Sequence, residues 1–561
     1  MSDAGLIETL RGIVGRTHVI TNPRSMERFC KGYRSGEGPA LAIVRPGTLL
    51  EQWRVLQACV AADKIVIMQA ANTGLTEGST PNGTYDRDAV VLSTNRMDRI
   101  EVLKDGRQIL GFPGATLFAL EKLLAPYDRQ PHSVIGSSCI GASIVGGVCN
   151  NSGGSLIERG PSYTELSLYA QVTSDGEIEL VNHLGIDLGT TPEEILTRLQ
   201  EGEFTEADVQ DTNAKASDTE YQRRVRDVDA ASPARFNADP RRLHEAAGCA
   251  GKLAVFAVRL DTYPKNTREQ TFYIGTNDTA ALTRLRRDIL SDFKTLPVSG
   301  EYMHAEAYDI SKDYGKDTLV LIDKLGTDWL PSIFALKGWI DARLNKVPLL
   351  PKNMTDLVMQ GLSRIWPNVL PARMETFRKR YDHHLILKMR DGGVDETEAY
   401  LAEHFAGERS GWFACTPREA KIAGLHRFAA AGAAVRYHAV RGTEVEDIVA
   451  LDIALRRNDR DWFEVLPGDV QDMLVHKLYY GHFFCHVLHQ DYLVKRGHAP
   501  GTVKARLLEL LDARGAKYPA EHNVGHLYAA SEDQAAFYRA CDPTNTLNPG
   551  IGKMSKQKDY A

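Results

Sequence analysis

Two strings in the last sixth of the chain carry the side chains best suited to chemistry. GHFFCHVLHQD contributes His482, His486 and His489, and KYPAEHNVGHLY contributes Glu521, His522 and His526. Imidazole and carboxylate groups are the usual carriers of protons in general acid–base catalysis, and imidazole titrates nearest neutrality. A histidine in a hydrophobic strand is more often a satisfied core residue, so the two strings alone leave both readings open.

A different chemistry is suggested by QAANTGLTEGSTPNG, Gln69 to Gly83, which holds glycines, small hydroxyls and amides but no lysine or arginine. It lacks GxxxxGK[ST], which excludes a P-loop, and it lacks the GxGxxG of a Rossmann nucleotide site. What remains is a nest of successive peptide N–H groups helped by Asn72, Thr73, Thr76 and Ser79, or a plain surface loop. A pyrophosphate suits such a nest, because charge-assisted bonds from main-chain amides need no ion pair. A second glycine-rich tract, SVIGSSCIGASIVGGVCNNSGGS, runs from Ser133 to Ser155.

The elements that must position these groups alternate between strand and helix from Leu41. LAIVRPG reads as a strand ended by Pro46-Gly47, and LLEQWRVLQACVAAD as a helix. KIVIM (Lys64 to Met68) is a buried strand that delivers the chain into the opening loop. AVVLS is a further strand, and RQILGFPGATLFALEKLLAPY gives strand, turn and amphipathic helix. Residues 201–231 are polar and read as a surface connection. GKLAVFAVRLDTYP is the exit strand of a first domain, after which FYIGTND and TAALTRLRRDILSDF open a second. The fold class is α+β, in two or three domains for 561 residues.

Composition narrows the partners. A net charge of -6 disfavours a nucleic-acid binder. The eight cysteines stand singly, which fits reduced thiols rather than zinc ribbons or a disulfide frame. There is no signal-peptide pattern and no run of about 18 apolar residues, so the expectation is a chain that does not span a membrane. Residues 331–390 hold eleven lysines and arginines against four acids. Ile333, Phe334, Trp339, Leu349, Leu350, Ile365, Trp366 and Val369 are interleaved with those cations. Such a stretch is most often a solvated face; it also suits an anionic lipid surface, where each cation contributes about 1 kcal/mol and aromatic rings anchor at headgroup depth.

IMQAANTGLTEG, ILGFPGATLFALEKLL and GSSCIGASIVGGVCNNSGG recur in this order in the FAD-binding domain of the p-cresol methylhydroxylase / vanillyl-alcohol oxidase superfamily. Essentially end to end, the chain resembles the quinone-dependent, membrane-associated D-lactate dehydrogenases of Gram-negative bacteria. AANTGLTEGSTPNG, CNNSGGSL, EVEDIVALDIALRRND and YPAEHNVGHLY carry the likeness. The resemblance implies a p-cresol methylhydroxylase-type FAD domain over residues 1–265, completed by 515–561 through the CDPTNTLNPGIGK terminus. It implies an antiparallel-sheet cap over 266–330 and 385–514, and a basic membrane-binding insertion at 331–384. FAD would be held non-covalently by Ala70, Ala71, Asn72, Thr73, Gly74, Gly78 and Ser79, with Gly136, Ser143, Gly153 and Val255 lining the flavin.

The implied reaction is oxidation of (R)-lactate to pyruvate with electron transfer to ubiquinone or menaquinone, by a peripheral protein on the cytoplasmic face of the inner membrane. The implied partners are anionic membrane lipids and no nucleic acid. Another 2-hydroxy acid, glycolate or 2-hydroxyglutarate, is the neighbouring alternative; a flavin-free lipid-surface protein is the alternative from a different class. In related FAD-linked 2-hydroxy-acid dehydrogenases, strings GHxGDGNLH and EHGxG hold two histidines and a glutamate on a divalent metal, with the adjacent histidine as base. Carried over, His482, His489 and Glu521 would be the metal ligands and His522 the base. The sequence departs from that pattern with FCHV in place of GDGN and Asn523 after His522. The substrate carboxylate needs an arginine, for which Arg427 ranks ahead of Arg436, Arg456 and Arg457.

Overall fold

Short runs rich in Val and Ile, each closed by a polar turn, form the first sheet. β1 (Val19–Ile20), β2 (Ala42–Val44), β3 (Ile65–Gln69) and β4 (Ala89–Ser93) lie in the order β1-β2-β4-β3, with β2, β4 and β3 parallel. β2 and β4 are buried throughout, as a parallel strand covered on both faces must be. The helix Leu49–Ala61, capped by Thr48, makes the crossover and buries Trp53, Val55 and Leu56. β3 ends at Gln69, so the opening loop leaves from the carboxyl end of a parallel strand, where ligands bind in open sheets.

β5 (Ile100–Leu103), β6 (Gln108–Gly111), β7 (Arg129–Gln130), β8 (Ser167–Val172), β9 (Ile178–Asn182), β10 (Ala254–Asp261) and β11 (Tyr263–Pro264) follow. Five of them make an antiparallel sheet in the order β5-β6-β10-β8-β9, and β7 pairs with β11 as a ribbon. The third sheet has seven antiparallel strands, β12 (Glu269–Thr276), β13 (Ser299–His304), β14 (His383–Arg390), β15 (Ser410–Ala414), β16 (Val445–Ala454), β17 (Leu474–His482) and β18 (Val487–Lys495). Their order is β15-β12-β14-β13-β17-β18-β16.

Alternation along these strands splits the third sheet into two faces. Tyr302, Leu385, Leu451, Tyr479 and Tyr492 face one core. Met303, Ile386, Leu478, Tyr480 and Leu493 face another, covered by helices Ala305–Tyr314, Pro417–Phe428 and Ala430–Val440. The chain end returns to the first sheet: Val66 N donates to Thr546 O and Asn548 N to Val66 O, both at 3.0 Å.

The structure is a computed structural model that describes residues 1–133, 141–325, 337–338, 340–341, 343–344, 353–363 and 365–561. Gly136, Cys139, Ile333, Phe334, Trp339, Leu349 and Leu350 lie outside the described residues. Among the described residues no helix is long and apolar enough to cross a membrane.

One expectation is corrected. The stretch 201–231 is not simply a surface connection: helix Tyr221–Arg226 buries Tyr221 and Val225 in the core of the third sheet, with Val228 beside them. Its polar residues are paired, Asp218 with Arg242, whose guanidinium binds both carboxylate oxygens at 2.5 and 2.6 Å. Paired charges of this kind can be buried where single ones cannot, which is why composition alone misplaced the segment.

Candidate active site

Cross-strand register assembles the site. Glu301 on β13 lies opposite His482 on β17, while His489 on β18 lies opposite both Tyr480 on β17 and Asp452 on β16. With a period of two, these residues and Asp491 share the face covered by helix Pro417–Phe428. Segment 517–522 then laps over the end of β16, held by Lys517 N to Ala454 O (2.9 Å) and Ala520 N to Asp452 O (3.0 Å). That lap brings Glu521 and His522 onto the two histidines of the sheet.

Hydrogen bonds and ion-pair contacts together form one network. Asp452 Oδ2 accepts from Glu521 N (2.6 Å), His522 N (3.2 Å) and His522 Nδ1 (2.8 Å). Its other oxygen is 3.4 Å from His489 Nδ1. His482 Nδ1 meets Glu301 Oε1 at 2.6 Å, and its Nε2 is 3.3 Å from Glu521 Oε2, which is 3.8 Å from His489 Nε2. Glu521 Oε1 accepts from buried Arg235 at 2.6 Å. The second glycine tract touches this carboxylate directly, since a Cβ on Gly153 would fall 2.5 Å from Glu521 Oε1.

Burial opposes charge on Glu301, Asp452, His482, Glu521 and His522, and their neighbours overcome it. Glu301 and Glu521 push His482 up to about 10. His482 and Arg235 hold Glu521 far below the usual carboxylate range, and His522 and His489 do the same to Asp452. Asp452 in turn raises His522 above the ordinary imidazole value. Nδ1–H of His522 donates to Asp452, which leaves Nε2 as the lone-pair nitrogen.

His482, His489 and Glu521 present one donor atom each within 4.8 Å of one another, and they are the one such group among the described residues. Both imidazoles turn Nε2 toward Glu521; His482 Nδ1 is bound to Glu301, the outer bond that fixes and strengthens a histidine ligand, and His489 Nδ1 stands 3.4 Å from Asp452 Oδ1. The donor set therefore fits a divalent cation. His486 and His526 are excluded from the cluster: His486 turns Nδ1 to Arg456 O at 3.1 Å, and His526 turns Nδ1 to Gly550 O at 3.1 Å. Burial depresses both imidazoles, His526 to about 4, as befits core histidines.

Of the arginines, Arg427 alone among the four candidates reaches this network, with Nη2 3.0 Å from Glu301 Oε2 and the guanidinium 4.5 Å over the Tyr480 ring. Arg436 is buried between Asp317 and Asp356, Arg457 is bound by Ser232 and Arg224, and Arg456 packs along Gly515. Asp452, Glu301 and Arg235 went unrecognised in the sequence. Asp452 left one signal, a lone acid inside the apolar run IVALDIAL.

The opening loop is built as a cradle. The peptide N–H groups of half-buried Ala71, Asn72, Thr73, Gly78 and Ser79, and of exposed Gly74, donate to no described acceptor. Asn72 adopts the left-handed conformation (φ 53°), and a Cβ on Gly74 would meet nothing within 4 Å. The side chains serve the scaffold: Ser79 Oγ and Thr80 Oγ1 donate to Asn72 Oδ1 at 2.9 and 3.1 Å. Ser143 caps helix Ile144–Cys149 through Gly146 N at 3.0 Å, and Val255 packs in the core beside that helix. Free amides without a cation fit a pyrophosphate, so these residues suit a dinucleotide.

Residues 271–560 match the family described as D-lactate dehydrogenase, membrane binding, and residues 40–182 match an FAD binding domain. The chain is 58% identical over 555 residues to the quinone-dependent D-lactate dehydrogenase of Escherichia coli (strain K12), covering 99% of this chain and 97% of that one. It is 54% identical over 563 residues to the quinone-dependent D-lactate dehydrogenase of Haemophilus influenzae, covering 100% of both. A solved structure of p-cresol methylhydroxylase with substrate bound aligns at a TM-score of 0.58 and 13% identity, covering 98% of this chain and 97% of that chain. At that identity the likeness is one of fold.

Proposed function

This chain belongs to the family of quinone-dependent D-lactate dehydrogenases, and from that premise we propose that it oxidises (R)-lactate to pyruvate and passes the electrons to a membrane quinone, ubiquinone or menaquinone. The observation that carries the reading is the His522–Asp452 pair at 2.8 Å, set beside the Glu521–His482–His489 cluster. We read residues 1–265 and 515–561 as the FAD-binding domain, 266–330 and 385–514 as the cap, and 331–384 as the membrane-binding segment. The strand ladder supports this division, since the second sheet's strands end by Asp261, the third sheet's begin at Glu269, and residues 546–548 bond to β3.

FAD, bound non-covalently through Ala70 to Gly74 with Gly78 and Ser79, would supply the acceptor for the hydride that leaves Cα. The chain's own work is to take the hydroxyl proton. His522 Nε2 accepts it, and Asp452 stabilises the imidazolium so formed, as a carboxylate does for a catalytic histidine. Arg427 is the candidate arginine that reaches the network; by holding Glu301 it bears on the orientation of His482. A divalent cation held by His482, His489 and Glu521 would lower the hydroxyl pKa as a Lewis acid. The test is anaerobic exposure of the purified holoenzyme to each lactate enantiomer. (R)-Lactate should bleach the flavin absorbance and (S)-lactate should leave it unchanged; equal response to both, or to neither, ends the reading.

The membrane-binding family supports a peripheral protein, and we place it on anionic lipid at the cytoplasmic face of the inner membrane. Val358, Leu362 and Ile365 recur at i, i+4 and i+7 on and just past helix Met354–Ser363, and are 51%, 45% and 79% exposed. Helical spacing puts Val358 and Leu362 on one face, and Ile365 follows just past the helix end. Burying an apolar side chain of this size in lipid contributes about 1.5–3 kcal/mol. Replacing Leu362 and Ile365 by aspartate should therefore weaken co-sedimentation with anionic vesicles by about tenfold or more, with lactate bleaching in solution retained. Unchanged sedimentation would remove this stripe from the docking surface.

A further inference from the structure

An anion cradle built from peptide N–H groups works only if its peptide planes are turned the right way. In a trans peptide the carbonyl and the following N–H point in opposite directions, so whatever holds the carbonyl on one side aims the N–H to the other. Two planes in the opening loop are held in this way. Glu77 O accepts from Thr80 N at 3.2 Å, which turns Gly78 N away from that bond. Gly78 O accepts from Asn548 Nδ2 at 2.7 Å, which turns Ser79 N away from the C-terminal segment. Neither Gly78 N nor Ser79 N has a described acceptor. The first of these bonds is local, whereas the second comes from a residue 470 positions further along the chain.

Asn548 is 1% exposed, and its backbone is pinned to β3 by the bond from Asn548 N to Val66 O. Its Nδ2 donates a second time, to Ala250 O at 2.8 Å. Only the NH₂ end of an amide can satisfy two carbonyls, so the orientation of the side chain is settled by its partners. Oδ1 has no partner among the described residues. An unpaired buried acceptor is a cost, so the side chain is held there for its donors. Gly251, at φ 81°, makes room for the amide, since a Cβ there would fall 2.9 Å from Asn548 Nδ2. Ala250 is itself tied to the second glycine-rich tract: Ala250 N donates to Cys149 O at 2.8 Å, and Gly248 N to Val148 O at 3.0 Å. One amide thus joins the two glycine-rich tracts. The left-handed backbone at Asn548 (φ 46°) favours asparagine or glycine, but it does not account for the two side-chain bonds.

We propose that Asn548 is a cofactor-positioning residue: by bridging Gly78 O and Ala250 O it turns Ser79 N–H toward the pyrophosphate of the dinucleotide and holds the two tracts at the spacing the cofactor spans. A cradle without a lysine or arginine has no ion pair to gather the anion. Its affinity depends on amides that are already aimed before the ligand arrives, and a bridge that aims them acts by preorganisation. Asn548 acts through Ser79 and not by touching the anion. The proposal rests on the reading of the opening loop as the FAD cradle and is independent of which acid the enzyme oxidises.

The test compares Asn548→Gly with Asn545→Gly in full-length holoenzyme. The two positions are matched. Asn545 is 0% exposed, lies in the same returning segment at φ 53°, and its Nδ2 donates to Ser555 O and Gln557 O at 2.8 and 2.7 Å, outside both tracts. Glycine keeps the backbone conformation at either site. Release of FAD is followed as the rise of flavin fluorescence on dilution. Asn548→Gly should release it about 10- to 100-fold faster than wild type, and Asn548→Asp likewise, because a carboxylate offers Gly78 O no donor. Asn545→Gly should stay within about threefold of wild type. In flavin-depleted full-length chain, ADP, a diphosphate without the flavin, should compete with FAD, and its inhibition constant should rise by about the same factor in Asn548→Gly. Wild-type release from Asn548→Gly, or equally fast release from Asn545→Gly, would overturn the proposal and leave the cradle in place. ADP that fails to compete in the wild-type chain would remove the cradle itself, and the proposal with it.

Discussion

Replacing His522 by alanine is expected to slow anaerobic bleaching of the flavin by (R)-lactate by about 10²- to 10⁴-fold, with the FAD content of the purified protein unchanged. The two halves of that result have separate causes. The proposed cofactor cradle consists of main-chain amides between Ala71 and Ser79, and the His522 side chain makes no bond to any of them. In the proposed mechanism the proton goes to Nε2 of this one ring, whose tautomer is set by the 2.8 Å bond from Nδ1 to Asp452. Asp452→Asn should lower the same rate, because an amide can donate to Nδ1 and so turn the lone pair to the wrong nitrogen. It should also loosen the lap of 520–522 over β16, since the same oxygen accepts from Glu521 N and His522 N at 2.6 and 3.2 Å. A His522→Ala enzyme that bleaches within about threefold of wild type would move the base elsewhere in the network.

The reach of sequence reasoning is visible in how these groups came together. The strings around His482 and His522 were legible because histidine and glutamate stood out in apolar text. The glycine-rich loop was legible through what it lacked, a lysine. Pairing partners were not legible. Glu301 lies opposite His482, and Asp452 opposite His489, only because β13, β17, β18 and β16 adopt one register, and that register depends on packing of both faces of the third sheet. Arg235 was hidden for another reason. It sits in polar text whose charges satisfy one another, so burial there leaves no hydrophobic period to read. The split among the arginines is likewise a property of the fold: Arg427 and Arg436 are nine residues apart, and only the former faces Glu301.

At Glu521 the expected effects on stability and rate can be separated. Glu521→Ala leaves the Arg235 guanidinium, which is 2% exposed in its side chain, without a carboxylate. Stranding one partner of a buried pair costs about 3–5 kcal/mol, so the urea midpoint should fall along with the rate. Glu521→Gln keeps an acceptor for Arg235 and should lose less stability, yet it removes the negative oxygen that faces His482 Nε2 at 3.3 Å and His489 Nε2 at 3.8 Å. Its rate should therefore drop nearly as far as that of alanine. Replacing Arg235 and Glu521 together by methionine removes both charges from the interior and should return most of the stability while leaving the enzyme inactive. Metal analysis completes the comparison, because the proposed site loses its one carboxylate donor in every one of these variants. Bound divalent cation should fall below stoichiometry in each, including the stable double variant. A double methionine variant that regained bleaching by (R)-lactate would reduce Glu521 to a structural counter-ion for Arg235. Recovery of stability without rate would place the carboxylate at the reaction itself.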